Sequence, residues 1–250
     1  MNTPDTTGEG GGGAQRRAAP APFTGAASAA GADGSAGTSG AAPTLVTFVR
    51  HGEVAAVHRP TFYGGAEAEL SEAGLAASHA VARDLAAWRP HRVVTSPLRR
   101  AWVLAEALAG HCGLDLHVDP AFVELDRGAW THKHHRDVEA ESPGAIARYK
   151  ADPETANGPG GERESEICAR VWGAVDALVA AAPGQRVVVV THGHVIRVVM
   201  RRLLGWGATE SLERFMPYHA RVETRLRADG RGEVLRHPEP KAPEALRRRD

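Results

Sequence analysis

A chain of 250 residues with 30 basic and 30 acidic side chains has room for one large domain or two small ones, and its zero net charge lacks the basic balance of a nucleic-acid binder. No apolar run approaches the ~18 residues of a membrane span, and the N-terminus carries no apolar signal core, so neither nucleic acid nor a membrane is expected as a partner. Cys112 and Cys168 lie far apart with no partner motif, which fits a reduced, cytoplasmic protein. Arg16 and Arg17 among Ala and Ser give a faint transit-peptide character, against which Asp5, Glu9 and Asp33 argue.

Residues 1–43 are mostly Gly, Ala, Ser, Thr and Pro, with Gly10 to Gly13 unbroken. Such a segment buries too little apolar surface to offset its ordering entropy. It reads as a disordered tail, with one folded domain at 44–236 and a flexible Pro- and Arg-containing tail at 237–250. Thr44 to Val49 is an apolar, β-branched run and predicts a buried strand, ending in Arg50-His51-Gly52-Glu53. Thr61 to Gly65 predicts a loop. Leu75, Ser78, Val81, Leu85 and Trp88 recur at helical spacing behind a Ser71 cap, and Pro90 stops that helix. Arg92 to Thr95 predicts a strand, followed by Ser96 as cap and Pro97 as first residue of a helix whose apolar stripe is Leu98, Ala101, Trp102, Ala105 and Leu108.

Leu114 to Val118 alternates as a strand does, and Phe122 to Trp130 reads as an ordered loop. Val138 to Lys150 predicts weak helix interrupted at Pro143-Gly144. Ile167, Val171, Ala174, Val175 and Leu178 mark an amphipathic helix. Arg186 to Thr191 holds four successive valines and predicts a central strand, continued by His192-Gly193-His194 and a helix closed by Gly205. Arg221–Arg227 and Gly232–Arg236, around Asp229-Gly230, predict a hairpin. Strands alternating with helices make this an α/β domain with helices on both faces.

Three strands end in polar or charged residues: Val49 before Arg50-His51-Gly52, Thr95 before Ser96 to Arg100, and Val190 before Thr191-His192-Gly193. Ligands of open α/β sheets bind outside the carboxyl ends of strands. If the three strands are neighbours, both histidines and the arginines meet in one crevice. Arg99 and Arg100 fall in the first turn of a helix, where cations are disfavoured. A bound phosphate would convert that conflict into attraction. At the third strand end, Gly193 allows close backbone approach to a ligand.

These segments resemble the signatures of the histidine phosphatase superfamily, the phosphoglycerate-mutase-like group. Arg50-His51-Gly52-Glu53 is similar to its leading motif and Ser96-Pro97-Leu98-Arg99-Arg100-Ala101 to its Ser-x-Leu-x-Arg-Ala helix start, which singles out Arg100. Glu124 to Trp130 resembles the loop carrying the family's acid, Gly160-Gly161-Glu162 its Gly-Gly-Glu element, and Thr191-His192-Gly193 with Val195-Ile196-Arg197 its second histidine motif. The resemblance runs in order from about residue 44 to about residue 205. It implies a three-layer α/β/α sandwich with a mostly parallel central sheet. It implies His51 as the nucleophile forming a phosphohistidine, where chemistry alone allows either histidine. Arg50, Arg100, His192 and Gly193 would hold the phosphoryl group, and Glu124 would protonate the leaving oxygen and then help activate water. For that Glu124 must be protonated when substrate binds, with its pKa raised by burial or by the substrate's own charge. Neither metal nor cofactor is expected, because imidazole is already nucleophilic near neutral pH.

Departures from the pattern shape the functional expectation. Mutases of the group carry Ser or Thr and then Asn after the leading motif, where this chain has Val54 and Val57. Val57 offers no donor, which favours a phosphatase; His58 or Arg59 could compensate. Glu67 and Glu69 replace the usual Asp and Pro, Arg163 replaces a common Ser, and Tyr63-Gly64 is similar to the branch that includes α-ribazole-phosphate phosphatases. The expected protein is therefore a histidine acid phosphatase-type phosphomonoesterase acting on a small phosphorylated metabolite, such as α-ribazole phosphate or a sugar phosphate. The alternatives are a phosphoglycerate-mutase-type phosphotransferase, a non-catalytic phospho-ligand binding module, and a metal-binding role for the loop His132-Lys133-His134-His135. That loop reads more simply as a surface segment, because no Cys or carboxylate ligand set accompanies it.

Overall fold

The computed structural model describes residues 41–238. The tails expected at 1–43 and 237–250 fall almost wholly outside the described residues. Within them a six-stranded sheet is built from β1 (Thr44–Arg50), β2 (Arg92–Thr95), β3 (Leu116–Val118), β4 (Arg186–Thr191), β5 (Arg221–Leu226) and β6 (Gly232–Arg236), in the order β3-β2-β4-β1-β5-β6. β1, β2 and β3 join the parallel part through β4, and β5 pairs antiparallel with both β1 and β6.

The four valines of β4 explain why it is central. Successive side chains of a strand point to opposite faces. Val187 and Val189 enter one apolar cluster with Val46, Phe48 and helices α5 (Glu164–Ala181) and α6 (Gly193–Leu204). Val188 and Val190 enter a second with Val49, Val93 and helices α1 (Glu72–Ala86) and α2 (Arg99–Cys112). All four are fully buried, each worth about 1.5–3 kcal/mol of transfer free energy. Two clusters on opposite faces of one sheet give the three-layer α/β/α arrangement expected from the resemblance.

Element boundaries shift in informative ways. α2 begins at Arg99, with Leu98 at the cap position, two residues later than a Ser96 cap would place it. Ser96 Oγ does accept from the Leu98 amide at 3.3 Å, but its shorter bond is to His192. Ser71 caps α1 as expected, accepting from the Gly74 amide at 2.9 Å. Leu75, however, is exposed, and the buried face of α1 is Gly74, Ser78, Ala82 and Leu85. The cause is close packing of the first turn of α1 on the loop after β1. Short helices α3 (His135–Glu141) and α4 (Ala145–Ala151) flank Pro143-Gly144, and β3 starts at Leu116 rather than Leu114. α7 (Ala208–Glu213) has no counterpart in the sequence reading.

Two glycines make that packing possible. A Cβ on Gly74 would lie 2.1 Å from the Glu53 carbonyl oxygen, and one on Gly52 would lie 2.5 Å from Ser78 Oγ. Gly74→Ala would gain up to about 1 kcal/mol in helix propensity yet overpack this contact, at about 1–3 kcal/mol. The expected outcome is net destabilisation in chemical denaturation, with α1 pushed off the His51 loop. A neutral or stabilised variant would show that the contact is slack.

Candidate active site

The strand order settles which chain ends meet. β4 lies between β1 and β2, so the segments after all three open at the same sheet edge. His51 is 1 % exposed and His192 is fully buried, with ring centroids 5.2 Å apart. Arg100 is 1 % exposed. Arg50 lies against the same group; a Cβ on Gly193 would stand 3.5 Å from its Nε. The space in front of Gly193 is thus filled by Arg50, and an alanine there would make an ordinary contact. The five residues His51, His192, Arg50, Arg100 and Gly193 are brought together as the sequence implied.

His51 Nδ1 donates to the carbonyl of Gly52 at 2.7 Å. That bond fixes the tautomer and leaves Nε2 with its lone pair. Burial, and then the positive charges of Arg50 and Arg100, hold the His51 imidazole well below its ordinary pKa. His192 is depressed in the same way, by burial and by Arg100, His51 and Arg50. Both rings are therefore neutral across the physiological range. His192 Nε2 shares a 2.7 Å hydrogen bond with Ser96 Oγ.

The two guanidinium groups are held by backbone carbonyls. Arg100 donates to Gly64 O and Ala66 O, each at 2.6 Å, and Arg50 donates to Met216 O. Arg50 Nε, Arg100 Nε and His192 Nδ1 are buried without a hydrogen-bond partner among the described residues. Buried polar atoms left unpaired are costly and call for an explanation. The helix N-terminus does not take part as expected, because the Arg99 amide donates to both carboxylate oxygens of Glu67 at 3.2 Å.

Glu124 lies within electrostatic reach of Arg100 and His194. Its oxygens accept from the Leu125 amide at 2.9 Å and the His194 amide at 3.2 Å. Burial alone would raise its pKa, but His194, these two amides and Arg100 together outweigh it and hold the carboxyl below the usual range. Burial therefore does not by itself supply the raised value expected for an acid; of the two causes expected, the substrate's own charge is the one left. A dianionic phosphate arriving nearby acts in the opposite sense.

Several residues at the site escaped the sequence reading. Tyr218 lies 4.4 Å from the Arg50 guanidinium and 5.8 Å from the His51 ring, while Tyr63 lies 5.0 Å from Arg100. Burial, reinforced by its interactions with Tyr63, pushes Tyr218 up to about 12, so it remains a hydrogen-bond donor. His219, at φ 57°, donates its amide to His51 O and shares a 3.0 Å bond with Ser78 Oγ. Glu164, 5 % exposed, joins His194 at 2.8 Å and Arg201. Tyr63 was marked in sequence by Tyr63-Gly64, whereas Tyr218 and His219 carried no signal, since no motif marks 214–220.

Other expectations are redirected. His58 pairs with Glu69, and Arg59 with Glu53 at 3.1 Å, so both are engaged away from the phosphate group. Glu53 also accepts from Ser71 Oγ at 3.0 Å, tying the leading motif to the α1 cap. The His132–His135 loop packs rather than ligates. The Phe62 amide donates to Lys133 O at 2.9 Å, and the His135 ring meets Phe62 edge-on at 4.3 Å. Among the described residues no group of three or more His, Cys, Asp or Glu is arranged to hold a metal ion.

This geometry coincides with an independent likeness in sequence. Residues 46–238 match the histidine phosphatase superfamily (branch 1). The glucosyl-3-phosphoglycerate phosphatase of Mycobacterium tuberculosis is 32 % identical over 167 residues, covering 64 % of this chain and 74 % of that protein. A probable phosphoglycerate mutase GpmB of Cronobacter sakazakii is 29 % identical over 182 residues, covering 73 % and 80 %. The structure of a mycobacterial glucosyl-3-phosphoglycerate phosphatase superimposes with a TM-score of 0.70 at 26 % identity, covering 77 % of this chain and 97 % of that one. The α-ribazole phosphatase of Shigella flexneri shares the fold, with a TM-score of 0.68 at 22 % identity, covering 79 % and 97 %. With two strand-end histidines, two carbonyl-held arginines and a carboxyl group gathered at one sheet edge, and with the match spanning the whole described domain, the chain belongs to the histidine phosphatase superfamily, branch 1.

Proposed function

We propose that this protein is a phosphomonoester hydrolase working through a phosphohistidine at His51. The observation that carries this reading is the pairing of His51 with His192, ring centroids 5.2 Å apart, beside two arginines, Arg50 and Arg100, that help keep the His51 imidazole neutral. In the first step His51 Nε2 forms a bond to phosphorus as the ester P–O bond breaks. Glu124 delivers its proton to the departing oxygen. In the second step water attacks phosphorus, Glu124 takes the water proton, and the P–N bond breaks to free His51 and inorganic phosphate. Arg50, Arg100 and His192 hold the non-bridging oxygens throughout, with electrostatic stabilisation of the transition state as their contribution.

Hydrolysis is favoured over transfer to a second hydroxyl because the position of the mutase Asn is Val57, 71 % exposed, and His58 and Arg59 are engaged elsewhere. The substrate is a small phosphorylated metabolite, with α-ribazole phosphate and sugar phosphates as candidates. Both cysteines are free, in keeping with a reducing, cytoplasmic setting.

Purified protein in excess chelator should hydrolyse a generic aryl phosphate. His51→Ala should abolish the trapped phosphoprotein and reduce kcat by at least about 10³-fold; a labelled variant would move the nucleophile to His192. Glu124→Gln should slow alkyl phosphates by about 10²–10⁴-fold and aryl phosphates much less. Equal slowing of both would remove Glu124 from the acid role.

The pH dependence follows from the two depressed groups. kcat/KM reports the free enzyme, whose Glu124 is ionised near neutrality and whose His51 stays neutral well into the acid range. For alkyl phosphates kcat/KM should therefore rise as pH falls from about 8 to about 5. The slope should flatten in Glu124→Gln, which also separates it from titration of the substrate phosphate. An unchanged slope in that variant would contradict the assignment.

A further inference from the structure

A cleft of about 570 Å³ opens beside Glu124, with Asp126, Thr131, Glu162 and Arg170 in its lining. Ala66, whose carbonyl holds Arg100, borders the same space. The cleft therefore lies where the organic part of a phosphomonoester would sit once its phosphoryl group reached His51. Its volume is ample for a sugar-sized group.

The charges of the cleft are unlike those of the phosphate end. Arg170 is its single cation, and all three of its nitrogens are already used. Nε and one terminal nitrogen donate to the two oxygens of Glu162, at 2.5 and 2.9 Å, and the other donates to Ala121 O and Val123 O at 2.7 and 2.8 Å. Asp126 is exposed; one oxygen accepts from the Gly128 amide at 2.9 Å, and the other has no hydrogen bond or ion pair among the described residues. With Glu124, three carboxylates face one guanidinium, four of whose five N–H donors are already taken. Neighbouring cations are turned away. Arg127 lies over the Tyr149 and Phe62 rings at 4.7 and 5.5 Å, and Lys133 pairs with Glu141 at 2.5 Å.

Resting on the hydrolase reading, we propose that this cleft selects an uncharged or cationic, hydroxyl-bearing leaving group, and that Asp126 and Glu162 turn away esters with a second anionic group close to the phosphate. A hydroxyl finds acceptors in the free Asp126 oxygen and in Thr131. A carboxylate meets the like charge of Asp126, with a single N–H of the Glu162-paired Arg170 left to offer, which is discrimination by repulsion rather than by better contacts.

The test compares kcat/KM of the full chain for glycerol 1-phosphate and 3-phosphoglycerate, which share a three-carbon skeleton and differ in hydroxymethyl against carboxylate. An aryl phosphate serves as control. Glycerol 1-phosphate should be preferred by about tenfold or more. Asp126→Asn, which can keep the bond to the Gly128 amide, should narrow that ratio at least threefold, about the size of a partly screened surface charge. Raising ionic strength with the unaltered protein should narrow it in the same direction, so the readout survives a variant that fails to fold. Equal or better turnover of 3-phosphoglycerate, or a ratio indifferent to both Asp126→Asn and salt, overturns the proposal while leaving hydrolysis intact. Failure to hydrolyse the aryl phosphate would instead sink the hydrolase reading, and this proposal with it.

Discussion

Everything about this site depends on burying positive charge without a protein counter-anion. Arg50 and Arg100 are drawn into the end of the sheet beside two imidazoles, and their nearest partners are the carbonyl oxygens of Met216, Gly64 and Ala66. Carbonyl dipoles hold a guanidinium in place while leaving its charge uncompensated. Burial first, and then that uncompensated field, holds His51 and His192 well below their ordinary pKa. A carboxylate in place of those carbonyls would stabilise the fold and occupy the phosphate position.

The surroundings follow from the same constraint. Tyr63 and Tyr218 present aromatic faces to the two arginines, which is attraction for a cation with no opposing anion. The carboxylates are kept at a remove: Glu53 ties down Ser71 and Arg59, Glu67 takes the start of α2, and Glu164 binds His194 and Arg201. Glu124 is the acid that adjoins the group, and it is fixed by two backbone amides.

Most of the parallel half of the fold was legible. Four valines in a row can only be central, and the Arg-His-Gly and Thr-His-Gly strand ends carry the chemistry in short, local patterns. The helix starts were less legible where a side chain had two possible partners: Ser96 reads as a cap until His192 is beside it, and Leu75 reads as core until Gly74 is seen resting on Glu53. That burial is outweighed at Glu124 was not legible, because His194 and two converging amides come from distant parts of the chain. The antiparallel half was read as a plain hairpin. Nothing local indicates that the start of β5 lies at the carboxyl end of β1, and that pairing alone delivers Tyr218 and His219 to the site.

That antiparallel pairing also sets the order in which the machinery becomes complete. Both histidines, Arg100 and Glu124 precede residue 193, whereas Met216, Tyr218 and His219 come after α7 and only reach Arg50 when β5 docks on β1. A chain emerging from the ribosome thus carries His51 long before it has the carbonyl that steadies the adjoining Arg50. Contacts of such sequence separation form late. Competence therefore arrives with the last hairpin, and a nascent chain stalled before it has the reacting groups without the grip that aims them.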